Sequence, residues 1–386
     1  MSPALLSQLH QAGRRALLAA RAASASCLVG VFIDRPQFFQ SWLVAWVFFV
    51  GLSLGALVIV MMQALTGGAW GLAIRRLCEA AMMTLPLMGL LFLPVIIGAH
   101  DLFPWSRSDA VSALAILRHK HAYLNLPFFA ARACFYFATL GTLAFLLRRL
   151  SIACDKAGDR ALCVKWISRL SGGGLVFYVL CMNFASTDWV MSLEPDWYST
   201  IFVVILMSGQ FLSALALMTA LLALLAGREP FAAVITAKHF HDLGNLLLTF
   251  VIFWIYVSFS QFLIIWSGNL PKEISWYLHR SVGGWKWVAL FLMLFQFLAP
   301  LSLLLLRAAK RKRERLGAIA AMIVLANVVN VYWLVAPAFH PQGIRIHWLD
   351  FATLIAVGGF WTSMFLCFLR RQPLLPLNSE EELCHA

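Results

Sequence analysis

The chain has 386 residues, of which 62% are hydrophobic and only 12% charged. A water-soluble globular domain is excluded, because such domains carry about a quarter of their residues as charge. The net charge of +13 does not point to nucleic acid: the basic residues sit in short stretches beside apolar runs, where membrane topology and anionic lipid account for them.

A helix needs about 20 apolar residues to cross a bilayer. Ten such stretches fit, at 15–33, 40–65, 79–99, 127–149, 171–191, 198–226, 242–267, 285–307, 316–337 and 347–370. Arg21 interrupts the first, for which a signal peptide or an interfacial helix is the alternative reading. With the N-terminus inside, cytoplasmic segments hold 20 Lys and Arg, opposite segments hold 8, and only Arg21 and Arg132 fall within spans. Positive charge collects on the cytoplasmic side, so both termini are predicted there. The densest run, Lys310 to Arg315, lies on that side.

The eight cysteines form no CxxC, CxxCH or Cys/His ligand spacing, which leaves metal, c-type haem and iron–sulfur readings without ligands. Cys27, Cys78, Cys134, Cys181 and Cys367 lie in or beside apolar spans and read as small hydrophobes. All ten histidines fall in loops or at helix ends, so an axial pair for a membrane b-type haem is missing. There is no phosphate-binding GxxxxGK[ST], no dinucleotide GxGxxG after a strand, and no nucleophile elbow. Gly172 to Gly174 open the fifth span and fit close helix packing or a hinge.

Function must then reside in polar groups at membrane depth, which are costly and mark pathways. Asp188, Glu194 and Asp196 precede the sixth span; His239, His241 and Asp242 follow it. Asp196 and Asp242 also suit N-terminal caps. Asp188 does not, because it ends its helix where the macrodipole disfavours an anion; it is the leading proton-carrier candidate. In the seventh span Asp242, Asn245, Thr249, Tyr256 and Ser260 share one helical face. The stripe covers roughly 27 Å, with a gap of roughly 10 Å between Thr249 and Tyr256. Ser208, Gln210, Ser213, Gln296, Asn327 and Asn330 in neighbouring spans would extend a polar interior, or simply join helices. Glu79 suits an ion pair with Arg75 or Arg76. Arg132 suits a pair with Asp188 or Asp101, or snorkelling. His100, Asp101, His119 and His121 cluster around the loop after the third span.

Four stretches carry a family resemblance: LTGGAWGLAIRR (65–76), TDWVMSLEPDWYSTIF (187–202), HDLGNLLLTF (241–250) and SQFLIIWSGNLP (260–271), with HWLD at 347–350. They resemble the ActF-type subunits of bacterial alternative complex III, which are similar to NrfD-like membrane proteins, and the likeness runs from about Phe38 to Leu377. It implies an all-α polytopic membrane protein with two four-helix bundles and two peripheral helices. The expected units are 1–39 (N-terminus and peripheral helix), 40–191 (first bundle), 192–337 (second bundle) and 338–386 (peripheral helix and cytoplasmic tail). It further implies a non-catalytic subunit of a quinol:cytochrome c (or other acceptor) oxidoreductase, with no redox cofactor bound directly. Haem c and iron–sulfur clusters are expected in partner subunits, and the related ActC subunit is the one associated with quinol oxidation. The expected partners are those subunits and lipid. Asp188, Asp242 and Tyr256, with Arg132, Glu194, His239, His241, Asn245, Thr249 and Ser260, are the proton-route candidates. One alternative is a quinol-binding NrfD-like subunit using His100, Asp101 and His121; another is a secondary transporter, although no repeat is evident.

Overall fold

The computed structural model describes residues 3–156 and 160–375. The end of the predicted cytoplasmic tail, 376–386, lies outside the described residues. Among those described no strand occurs, and ten helical segments are long and apolar enough to cross a membrane. They are α1 (Pro3–Ile33), α2 (Arg35–Thr66), α3 (Ala69–Met82, Leu85–Leu90 and Leu93–Ile97 in series), α4 (Leu126–Lys156), α5 (Arg160–Trp189), α6 (Phe202–Leu225), α7 (Ala237–Gly268), α8 (Trp285–Leu305), α9 (Arg313–Val335) and α10 (Trp348–Leu369). The chain is thus an all-α multi-pass membrane protein. Several helices outrun their apolar cores, since Lys and Arg are good helix formers and carry the coil past the membrane into water.

Helices α2 to α5 close one ring of contacts, α2 on α3, α3 on α4, α4 on α5 and α5 on α2. Helices α6 to α9 close a second ring in the same order. The bundles meet along α2 and α6, both apolar all round and therefore interior helices. Gly55 makes that junction close: a Cβ there would stand 2.3 Å from the Gln210 carbonyl oxygen. Gln210 accepts from Tyr178 Oη at 3.1 Å, and Asn327 Nδ2 donates to the Gly209 carbonyl at 3.0 Å. The mid-membrane amides Gln210 and Asn327 therefore tie helices together where the bundles join, while the amide of buried Gln296 finds no partner.

The two peripheral helices pack on one another and, through α10, on α2. Gly13, Ala20 and Cys27 are buried on α1 at a spacing of seven, the repeat of a left-handed helix pair. On α10, a Cβ at Gly359 would approach the Ala16 carbonyl to 2.6 Å, so small residues set the contact. Residues 3–33 are thus one continuous helix docked on α10. Proline explains the interruptions of α3. Pro86 and Pro94 each open a short helix and supply no N–H. The Met88 and Leu91 carbonyls there accept from the indoles of Trp46 (2.8 Å) and Trp42 (3.0 Å) on α2, which satisfies them away from water.

Candidate functional site

Two carboxylates near the α5–α6 junction, Asp188 and Glu194, are each held by a buried arginine. Asp188 sits at the end of α5, with its side chain 1% exposed. Arg132, in the second turn of α4, forks onto it: Nε donates to Oδ2 at 2.9 Å and Nη2 to Oδ1 at 2.8 Å. Tyr136, one turn further along α4, donates its hydroxyl to Oδ2 at 2.9 Å. Arg132 also donates to the Tyr123 carbonyl at 2.8 Å and lies over the Tyr123 ring at 3.8 Å. An arginine at this depth is tolerable only when so partnered. The structure joins Asp188 and Arg132 and leaves Arg132 no freedom to snorkel.

The second carboxylate repeats the arrangement on the other bundle. Glu194 accepts from Arg280 Nη1 at 2.9 Å and lies 3.0 Å from His279 Nδ1. Arg280 follows the short helix Pro271–His279 and also donates to the Trp276, Leu334 and Trp333 carbonyls. Its guanidinium lies 3.6 Å from the Trp276 ring centroid. Burial lowers its pKa to about 10, against the pull of Glu194, so it stays charged near neutrality. Burial also pushes the neighbouring Tyr277 phenol up to about 12.

Between these pairs the chain is pinned at every few residues. Ser192 Oγ donates to the Asp188 carbonyl at 2.8 Å, Lys120 Nζ to the Pro195 carbonyl at 2.7 Å, and Trp197 Nε1 to the Glu273 carbonyl at 3.1 Å. Burial lowers the Lys120 pKa, with Asp196 opposing. Residues 188–197 therefore form a staple across the ends of both bundles. Sequence reading found Asp188, Arg132 and Glu194 but missed Arg280 and His279 as partners of Glu194. Only the aromatic neighbours of Arg280, at 276 and 277, hinted that it was buried.

Two capping expectations fail. Asp196 is exposed and separated from α6, whose first residue is Phe202, by an intervening turn. Asp242 lies in the second turn of α7, because α7 starts at Ala237 and Thr236 is its N-cap. His239 is the partner in that cap: its Nδ1 lies 3.1 Å from the Thr236 amide nitrogen and 2.9 Å from its hydroxyl. Nearby, Lys310 Nζ donates to Asn245 Oδ1 at 2.6 Å, and Asn245 Nδ2 lies 3.1 Å from His241 Nδ1. Arg75 and Arg76 both reach Glu79, at 3.1 and 2.5 Å, and Arg76 also reaches Asp155. The pairing expected for Glu79 is thus present, with a second acid added.

The stripe on α7 lies off the helix's buried face, and beyond the Asn245–Lys310 contact its middle points outward. Its buried face is Leu243, Leu247, Val251, Trp254, Gln261 and Ile265, whereas Thr249 and Tyr256 are exposed, Tyr256 at 66%. Asp242, Asn245 and Ser260 are half-buried on the same outward side. These residues do not line the interior of either bundle, because the apolar face of α7 takes that position. His100 and His121 are exposed, and Asp101 pairs with Arg35 at 3.0 Å. The neighbouring end of the first bundle is filled by Trp46, Phe92, Phe103, Trp105, Phe129 and Trp189, all buried.

Among the described residues, no group of three His, Cys, Asp or Glu is placed to hold a metal ion. No protein-family model matches the chain, and no curated protein matches it.

Proposed function

We propose that the chain is a cofactor-free integral membrane subunit of a respiratory quinol:electron-acceptor oxidoreductase of the alternative complex III type, lying in the bacterial inner membrane with both termini cytoplasmic. The observation that supports a subunit, rather than a protein working alone, is the outward stripe of α7. Polar groups on the outer surface of a membrane helix are unfavourable against hydrocarbon and are the means by which helices of different chains hold one another. Thr249, Tyr256 and Ser260 then mark the face against which a neighbouring subunit lies. The motif resemblance supplies the identity of the complex, with ActC-like, iron–sulfur and multihaem subunits as partners and quinol as the substrate of the whole. Asp188 and Glu194 serve to anchor the connection between the bundles, one to each bundle through its own arginine. Gentle extraction from native membranes followed by identification of co-purifying chains tests this: haem- and cluster-bearing subunits are expected, and isolation as a lone protein overturns it.

A proton-conducting role is the second reading, favoured by the Lys310–Asn245–His241 chain of contacts beside Asp242 at one end of the same stripe. Because the gap between Thr249 and Tyr256 faces outward, a partner subunit would complete the route. Asp242→Asn in the assembled complex should lower the protons released per electron; unchanged stoichiometry at normal turnover sinks this role.

A further inference from the structure

The second bundle contains a lateral cavity of about 480 Å³ between α7, α8, α9 and the short helix Pro271–His279. That volume falls in the range of about 300–1,000 Å³ typical of small-molecule sites. Its walls are almost wholly apolar and include eight aromatic side chains, among them Trp254, Phe262, Trp276 and Trp333. Phe259 and Trp266 line it while standing 56% and 64% exposed, so the cavity opens sideways, toward the membrane.

Depth and charge identify the occupant. Along α7 the wall runs from Trp254 to Trp266, which at 1.5 Å per residue is about 18 Å. That is close to half of a hydrocarbon core about 30 Å thick, one leaflet deep. At the end of the cavity near the helix termini stand Ser281 and Lys286, both exposed. Arg280 is occupied by Glu194, but Lys286 has no acidic partner among the described residues, and its ammonium lies 5.5 Å from the Trp287 ring. Lys286 lies in the first turn of α8, among Trp276, Tyr277 and Trp287, the level at which aromatic residues mark the headgroup zone. An ammonium and a hydroxyl there suit a phosphodiester, and the groove below suits a hydrocarbon chain.

We propose that this cavity is a binding site for one anionic phospholipid, its phosphodiester at Lys286 and Ser281 and an acyl chain in the groove between α7 and α8. The site stands independently of the respiratory reading. Native mass spectrometry of the full chain, purified in a mild detergent, together with analysis of the extracted lipid, tests it. A single retained anionic phospholipid is expected. After delipidation, phosphatidylglycerol should rebind roughly fivefold more tightly than phosphatidylcholine, about what one interfacial lysine contributes toward an anionic headgroup. Lys286→Gln, on the surface, should abolish that preference while leaving acyl-chain binding. Ala289→Phe, which places a ring in the cavity, should prevent retention with helix content unchanged. Equal affinity for the two lipids, retention unaltered by both variants, or recovery of a quinone in place of phospholipid each overturns the proposal.

Discussion

Replacing Arg132 by Met should be among the most damaging single substitutions in the chain. The Asp188 carboxylate is 1% exposed and the Arg132 side chain 9%, so solvent screening gives little relief. The change removes two of the three side-chain donors on that carboxylate and leaves Tyr136. Breaking a buried pair by removing one partner costs about 3–5 kcal/mol, whereas replacing both partners by apolar side chains is often neutral. Arg132→Met should therefore lose about 3–5 kcal/mol, Tyr136→Phe about 1.5–3 kcal/mol as one hydrogen bond to a charged group, and Arg132→Met with Asp188→Leu should recover most of the loss. Reversible unfolding in mixed micelles at increasing denaturing detergent gives the double-mutant cycle. A coupling of at least about 3 kcal/mol is expected, since the double substitution removes the unpaired buried charge that either single change leaves behind. If the two substitutions add to within about 0.5 kcal/mol, as distant independent sites do, the account of Asp188 as a structural anchor is wrong.

Glu194→Gln should destabilise by about 3–5 kcal/mol by leaving Arg280 buried without its counter-ion, seen in the same unfolding assay. Gly55→Leu should cost at least about 1–3 kcal/mol through overpacking against Gln210, read as loss of the monodisperse species on size exclusion. Thr249→Leu with Tyr256→Leu should leave the stability of the isolated chain unchanged, because both side chains face outward, yet reduce co-purification of partner subunits from native membranes. His340 lies beyond the last turn of α9, and burial, helped by Arg345, lowers its pKa below 6.5, with Asp350 and Asp34 opposing. Since the unfolded chain binds the proton more readily, stability should fall as pH drops below about 6.5 toward the folded-state pKa. His340→Gln should flatten that slope in thermal melts across pH 5 to 7.5, values bracketing the unfolded pKa of about 6.5.

All ten spans were legible because hydrophobic length alone decides whether a segment crosses a bilayer. Helix ends were less so: apolar runs stop at the membrane, but α4 continues to Lys156 and α7 begins at Ala237, with Thr236 and His239 forming a cap that hydropathy does not register. The Arg132–Asp188 pair was visible because an arginine in an apolar run demands a partner. Glu194 and Arg280 were not joined on the page, since 86 residues separate them and both lie in connecting segments. Spacing placed Asp242, Asn245, Thr249, Tyr256 and Ser260 on one face of α7, but periodicity gives a face without saying which way it points. The apolar face, with Leu243, Leu247 and Val251, won the interior because it packs against α6.

The contact at Gly55 carries a consequence for motion. Backbone of α2 lies against backbone of α6 with no side chain between them to slide or re-pack, and residues 188–197 fasten the ends of both bundles through separate arginines. A hinge needs a few residues free to change their dihedral angles, and here the two halves are riveted at the waist and at one end. No free hinge therefore separates the halves at this seam, and α7, α6, α2 and α10 form one unbroken series of packed helices from one flank of the molecule to the other.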